Sequence, residues 1–228
     1  MPFPLPSLRP PLNCLLRIGL GLVCCTVAPH FLSAQGAGGP AKLTFTKVLQ
    51  GSVPEYLAIT VASDASATYD GRKLSDPAAP RTFKLSAATT RRLFELAAGL
   101  DNFKSVELES HRKVADLGLK TFIYEAGGEK RQVQFNYTLR REAQELTDLF
   151  EKISGVQQHL TALEYSMKYD HLGLPRELSQ IQIDLENKVL ADPALMVPAL
   201  EQIARNPKFL HLAQARAQNI LQRLQNSN

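Results

Sequence analysis

Apolar and polar residues alternate in short runs through the first part of the chain. From residue 139 onward the apolar positions recur every three or four residues instead. Leu43 to Leu49 alternates with a period of two, the pattern of a half-buried strand, and Tyr56 to Val61 is a second such run. Ser63 to Ser66 supplies turn chemistry, after which Ala67 to Asp70 is expected to return antiparallel until Asp70-Gly71 breaks the pairing. Residues 73–80 read as a polar, proline-containing loop. Lys120 to Glu125 and Gln132 to Tyr137 flank Ala126-Gly127-Gly128-Glu129, a hairpin with Val133, Phe135 and Tyr137 on the core side.

One helix interrupts this strand-rich half. Ser86 is placed to accept hydrogen bonds from the first free amides, Leu93, Phe94, Ala97 and Ala98 follow at helical spacing, and Gly99 is expected to close the helix in the left-handed conformation. The spacing predicts a helix over Ala87–Ala98.

The second half is helical throughout. Leu139, Ala143, Leu146, Phe150 and Ile153 form an apolar stripe, and Val156, Leu160, Leu163 and Met167 prolong it beyond Gly155. One long helix and two stacked helices both fit that stripe. Pro175, Pro193 and Pro207 each suit a first helical position, with Asp192 and Asn206 as caps before two of them. The expected helices run over residues 175–190, 193–205 and 207–224, with a kink or restart at Pro198. Strands preceding helices, rather than alternating with them, indicate an α+β fold. The expectation is a small, mostly antiparallel sheet with one packed helix over residues 41–137, followed by an all-helical region over 138–228.

Composition changes the picture at the N-terminus. Residues 1–34 hold no Asp or Glu, carry the cations Arg9 and Arg17, and contain an apolar run from Ile18 to Ala28. This is the pattern of a secretory signal, with cleavage expected after Ala34 and a small, glycine-rich tether over 35–40. All three cysteines, Cys14, Cys24 and Cys25, lie inside it, so the exported chain is expected to carry no thiol and no disulfide. A lipoprotein signal fits less well, because Val23 precedes Cys24 where a small residue is required. Pro29 and His30 cut the apolar run short of the roughly 20 residues a membrane anchor needs. The location expected is periplasmic or secreted; the membrane-anchored alternative applies only if the leader is uncleaved.

Cleavage also lowers the charge. Without Arg9 and Arg17, the chain's 26 Lys and Arg fall to 24 against 22 Asp and Glu, a net charge of +2. Such a balance, with scattered basic pairs at Arg91-Arg92 and Arg140-Arg141, points to no nucleic-acid partner.

Chemistry is sparse. The densest run is Glu107 to Asp116, where Glu107, Glu109, His111 and Asp116 are residue types that bind divalent metals or shuttle protons. Their spacing is that of an ordinary solvated segment. Asp64 and Asp70 read as turn residues. His159 and His211 border apolar stripes, and His171 lies near a helix C-terminus. No Gly-x-Ser-x-Gly elbow, HExxH pair or phosphate-cradling loop occurs. The sequence therefore assigns no catalytic, cofactor-binding or metal site and implies no cofactor.

Two resemblances add a frame. Ile59 to Gly71, the helix before Asp101-Asn102-Phe103 and the hairpin after Asp116-Leu117-Gly118 resemble an uncharacterised family of exported bacterial α+β domains. That likeness implies a fold and an export address, with no chemistry. Val197 to Leu200, Ile203 and Ala213 to Leu224 resemble a single HEAT-type helical pair, without the repeats of a solenoid. The expected function is a non-enzymatic protein-interaction module, its partner docking through the helical C-terminal region. The alternative is a metal-dependent or hydrolytic envelope enzyme using Glu107, Glu109, His111 and Asp116.

Overall fold

The sheet is built outward from one central strand. In the computed structural model, which describes residues 39–226, β1 (Lys42–Val48) pairs antiparallel on one side with β2 (Tyr56–Ala62) and on the other with β5 (Leu119–Ala126). β3 (Ser66–Arg72), β4 (Arg81–Lys84) and β6 (Glu129–Phe135) complete the order β4-β3-β2-β1-β5-β6, antiparallel at every pair. The expected leader, residues 1–34, and most of the expected tether lie outside the described residues.

Alternation decides the two faces. Leu43, Phe45, Ile59, Val61, Ala67, Tyr69 and Phe122 point to one side and are buried. Phe45 sits opposite Ile59 and Phe122 in the register and stacks on Phe150 with ring centroids 5.1 Å apart. On the other face Thr82, Thr68, Thr60 and Thr44 fall in one row across four strands, where Thr44 and Thr60 share a 2.9 Å hydroxyl contact. A sheet with one apolar face must cover it. Here α1 (Ala87–Gly99) and the first half of α2 (Arg141–Tyr169) both do so. Two helices thus pack on the sheet where one was expected.

The turn at Gly127-Gly128 has φ of 59° and 83°, the backbone a two-residue hairpin loop needs and glycine alone adopts without strain. β4 has no counterpart in the alternation pattern, because four residues with charged ends are too short to show one.

Ser86 caps α1 as expected, its side chain accepting from the Thr89 amide. Gly99 does not close it. Gly99 is the last helical residue, Leu100 is the cap, and the left-handed residues are Asp101, Asn102 and Phe103, with φ of 53°, 47° and 64°. That reversal drops Phe103 onto Phe122, the rings stacked at 5.3 Å.

α2 is one continuous helix of 29 residues. Gly155 does not end it, because Val156 and Leu163 find a second core as the first runs out. A Cβ at Gly155 would lie 3.1 Å from a Leu190 methyl, so the glycine lets the α3–α4 connection approach closely. The second core collects α3 (Leu174–Glu186), α4 (Val197–Arg205) and α5 (His211–Asn226) around Leu178, Ile181, Leu200, Ile203 and Ile220. Pro198 restarts the chain as expected: a 3₁₀ turn over Pro193–Met196 precedes α4. α5 begins at His211, four residues later than expected, since Pro207 and Lys208 form a turn in which Asn206 accepts from the Lys208 amide.

Asp192 behaves differently from its expected role. Its backbone is left-handed and its side chain caps nothing in its own turn. Instead the carboxylate crosses to the start of α1, accepting from the Ser86 amide at 2.6 Å, the Ser86 hydroxyl at 2.8 Å and the Thr89 hydroxyl at 2.6 Å. An anion at a helix N-terminus is favourable on both hydrogen-bond and dipole grounds. Among the described residues, the sheet and α1 to α5 belong to one unit.

Candidate functional site

Residues 104–118 carry the acidic and histidine run in an irregular loop between α1 and β5. Within it, His111 Nε2 meets Glu107 Oε1 at 2.6 Å, both side chains about three-quarters exposed (71% and 75%). Glu109 turns away from that pair. Its carboxylate accepts from the Asn136 amide at 2.6 Å and from the Ser110 amide at 2.9 Å. The Asn136 amide, ahead of the other backbone donors, holds its carboxyl below the usual range. Asp116 accepts from the Gly118 amide at 2.9 Å and faces its own turn. The loop therefore brings Glu107 and His111 together and leaves Glu109 and Asp116 apart from them. Among the described residues, no three His, Cys, Asp or Glu side chains are placed to hold a metal ion.

Asp116 instead lines a cleft of about 380 Å³ between the hairpin base and α2, with Lys47, Lys120, Tyr137, Asp148 and Glu151. Lys120 is 8% exposed, and its Nζ donates to the carbonyls of Leu117, Gly118 and Asn136 at 3.1, 3.2 and 2.9 Å. Burial, helped by the nearby Lys47 charge, lowers its pKa. Three carbonyls nonetheless use all three ammonium protons, which leaves no lone pair for nucleophilic work. Lys120 is a staple that fastens residues 117–118 to β6. Lys47 is likewise occupied, 2.7 Å from Glu151.

A second cluster joins α2 to α3. His159, nearly buried on α2, places Nδ1 2.7 Å from Glu177 and Nε2 2.9 Å from Asp184. Burial alone would lower its pKa, but hydrogen bonds and charge from the two carboxylates outweigh it and raise the value above the ordinary one. Both nitrogens face acceptors, so the cation suits the site and the neutral ring, with one N–H, does not. The sequence placed His159 beside an apolar stripe but gave no sign of the clamp, whose partners lie 18 and 25 residues away. His171, as expected near a helix C-terminus, reaches the Met167 carbonyl at 2.9 Å and meets Phe209 edge-on.

Beside the clamp runs a groove of about 650 Å³, bounded by Val53 and Pro54, by Tyr69 and Gly71 of β3, and by residues of α2 and α3. Gly71 is required there, because a Cβ would sit 2.1 Å from the Tyr69 hydroxyl.

At the end of the helical half, His171 on Phe209 brings the α2–α3 and α4–α5 turns together. Leu172, Leu210 and Leu212 flank this contact, 78%, 44% and 55% exposed. No helix among the described residues is long and apolar enough to cross a membrane. No family model matches the chain, and no curated protein matches it either.

Proposed function

We propose that this chain is an exported, non-enzymatic protein-interaction module that presents the end of its helical half to a protein partner. The observation that carries the reading is the trio Leu172, Leu210 and Leu212, exposed on the α2–α3 turn and at the start of α5 beside the His171–Phe209 contact. Apolar side chains gathered on a rigid scaffold mark interaction sites more often than isolated ones do. The reading is supported further by how the titratable side chains are used. Glu109, Asp116, Lys120 and His159 each spend their hydrogen-bonding capacity within the fold. Export is supported by the leader pattern in residues 1–34.

The test is capture from the exported fraction of the producing cell, with the protein immobilised as wild type and as a Leu172→Ser, Leu212→Ser double variant. Wild type retains a protein that the variant releases. Retention by neither, or equally by both, refutes the reading.

The 2.6 Å pairing of Glu107 with His111 is the one feature that favours a second reading, an envelope enzyme or metal-dependent protein using the 107–116 run. Bound zinc and calcium measured in wild type and in His111→Ala separate the two. Near-zero metal in both removes the second reading.

A further inference from the structure

We infer that the groove between β3, α2 and α3 is a binding site for a neutral oligosaccharide. This site goes beyond the protein-docking reading.

Its volume, about 650 Å³, is within the usual range for small-ligand sites. Its walls combine three kinds of group. The first is aromatic. Tyr165 lines the groove with its ring 60% exposed, and Tyr169, whose ring centroid lies 5.3 Å away, supports it from outside. An exposed ring with a polar tip offers an apolar face to the C–H face of a sugar and a hydroxyl to its edge.

The second kind is planar and polar. Gln158, Asp170, Arg176 and Glu177 line the same groove and present donors and acceptors together. Arg176 is exposed, and among the described residues its guanidinium has neither a hydrogen-bond nor an ion-pair partner. Five N–H donors therefore remain at the groove wall.

The third observation is charge balance. The lining residues carry two cations, Arg176 and His159, against two anions, Asp170 and Glu177, with Asp184 behind His159 and not among them, so the wall itself offers no excess of either sign to a charged ligand. An apolar ligand would strip water from these polar groups and leave them unpaired. A polyhydroxylated, uncharged ligand meets both demands.

Binding is measured by co-sedimentation of the purified protein with the uncharged polymers cellulose, chitin, xylan and curdlan. Titration with the soluble hexasaccharides of the first three follows. The chain contains no tryptophan and 6 tyrosines, of which Tyr69 and Tyr165 line the groove, so a change in tyrosine emission that is lost in Tyr165→Ala reports occupancy there. At least one polymer is expected to retain the protein. Tyr165→Ala and Arg176→Ala, both at exposed positions, are each expected to weaken binding by about tenfold with an unchanged circular dichroism spectrum. Leu212→Ser, which alters the protein-docking end on α5, is expected to bind sugar like wild type. Failure of all four polymers to retain the protein overturns the inference, as does retention that neither groove variant weakens. Sugar binding lost in Leu212→Ser would instead move the site to the helical end and overturn the inference.

Discussion

Replacing His159 with alanine removes the cation that pairs with both Glu177 and Asp184 and leaves two carboxylates at the α2–α3 joint without it. In the native protein each contact is a charge-assisted hydrogen bond, at 2.7 and 2.9 Å, with His159 11% exposed and the carboxylates 23% and 22% exposed. A hydrogen bond to a charged group contributes about 1.5–3 kcal/mol, and breaking a fully buried ion pair costs about 3–5 kcal/mol. Partial exposure of both carboxylates screens the loss, so about 3 kcal/mol is expected. For a chain of this size that corresponds to a fall in Tm of roughly 6–12 °C.

The pH dependence follows from the raised pKa. A group that binds its proton more tightly when folded adds stability below its unfolded pKa of about 6.5 and loses it as pH rises through the folded value. The gap between wild type and His159→Ala is therefore widest on the acid side, above the carboxylate range, and narrows as pH rises past neutral. Calorimetric melts of both proteins across that interval measure it. A triple variant, His159→Leu with Glu177→Leu and Asp184→Leu, removes the stranded charges and should recover much of the loss. A gap that is constant with pH, or below about 0.5 kcal/mol, would refute the clamp, since that is the range of ordinary surface substitutions.

Three further substitutions probe other joints. Asp192→Ala removes three hydrogen bonds at the N-terminus of α1 and should cost about 1–3 kcal/mol in urea unfolding; no loss would place the contact outside the stable fold. Lys120→Met strands the carbonyls of Leu117, Gly118 and Asn136, so limited proteolysis is expected to cut residues 110–117 several-fold faster than in wild type. Unchanged cleavage would deny the staple. Gly71→Ala pushes a methyl into the Tyr69 ring and should cost about 1–3 kcal/mol while shifting the near-ultraviolet tyrosine signal. An unperturbed signal would show that the phenol is free to move.

Local pattern carried the sequence reading as far as local pattern reaches. β1, β2, β3 and the hairpin were legible because each buries one face, and burying one face forces a two-residue period. α1 was legible at its start, where Ser86 answers to backbone amides within one turn. Its end was not. Gly99 was the expected left-handed residue, but the reversal was taken by Asp101, Asn102 and Phe103, because only that path brings Phe103 onto Phe122. Asp192 looked like a local cap and serves a helix more than a hundred residues earlier. The His159 clamp and the groove share this property: they draw on α2, α3 and β3, which no spacing along the chain connects. The run from Glu107 to Asp116 shows the converse. Neighbours in sequence suggested one site, yet the loop turns Glu109 toward β6 and Asp116 toward its own turn.

Site-specific photocrosslinking in the producing cell tests the interaction reading most directly. A photoreactive residue at Leu172 probes the exposed end of the helical half, and the same residue at Lys113 probes the loop that holds the Glu107–His111 pair. A discrete protein adduct is expected from position 172 and none from position 113. Adducts from position 113 alone, or from neither position, would contradict the interaction reading.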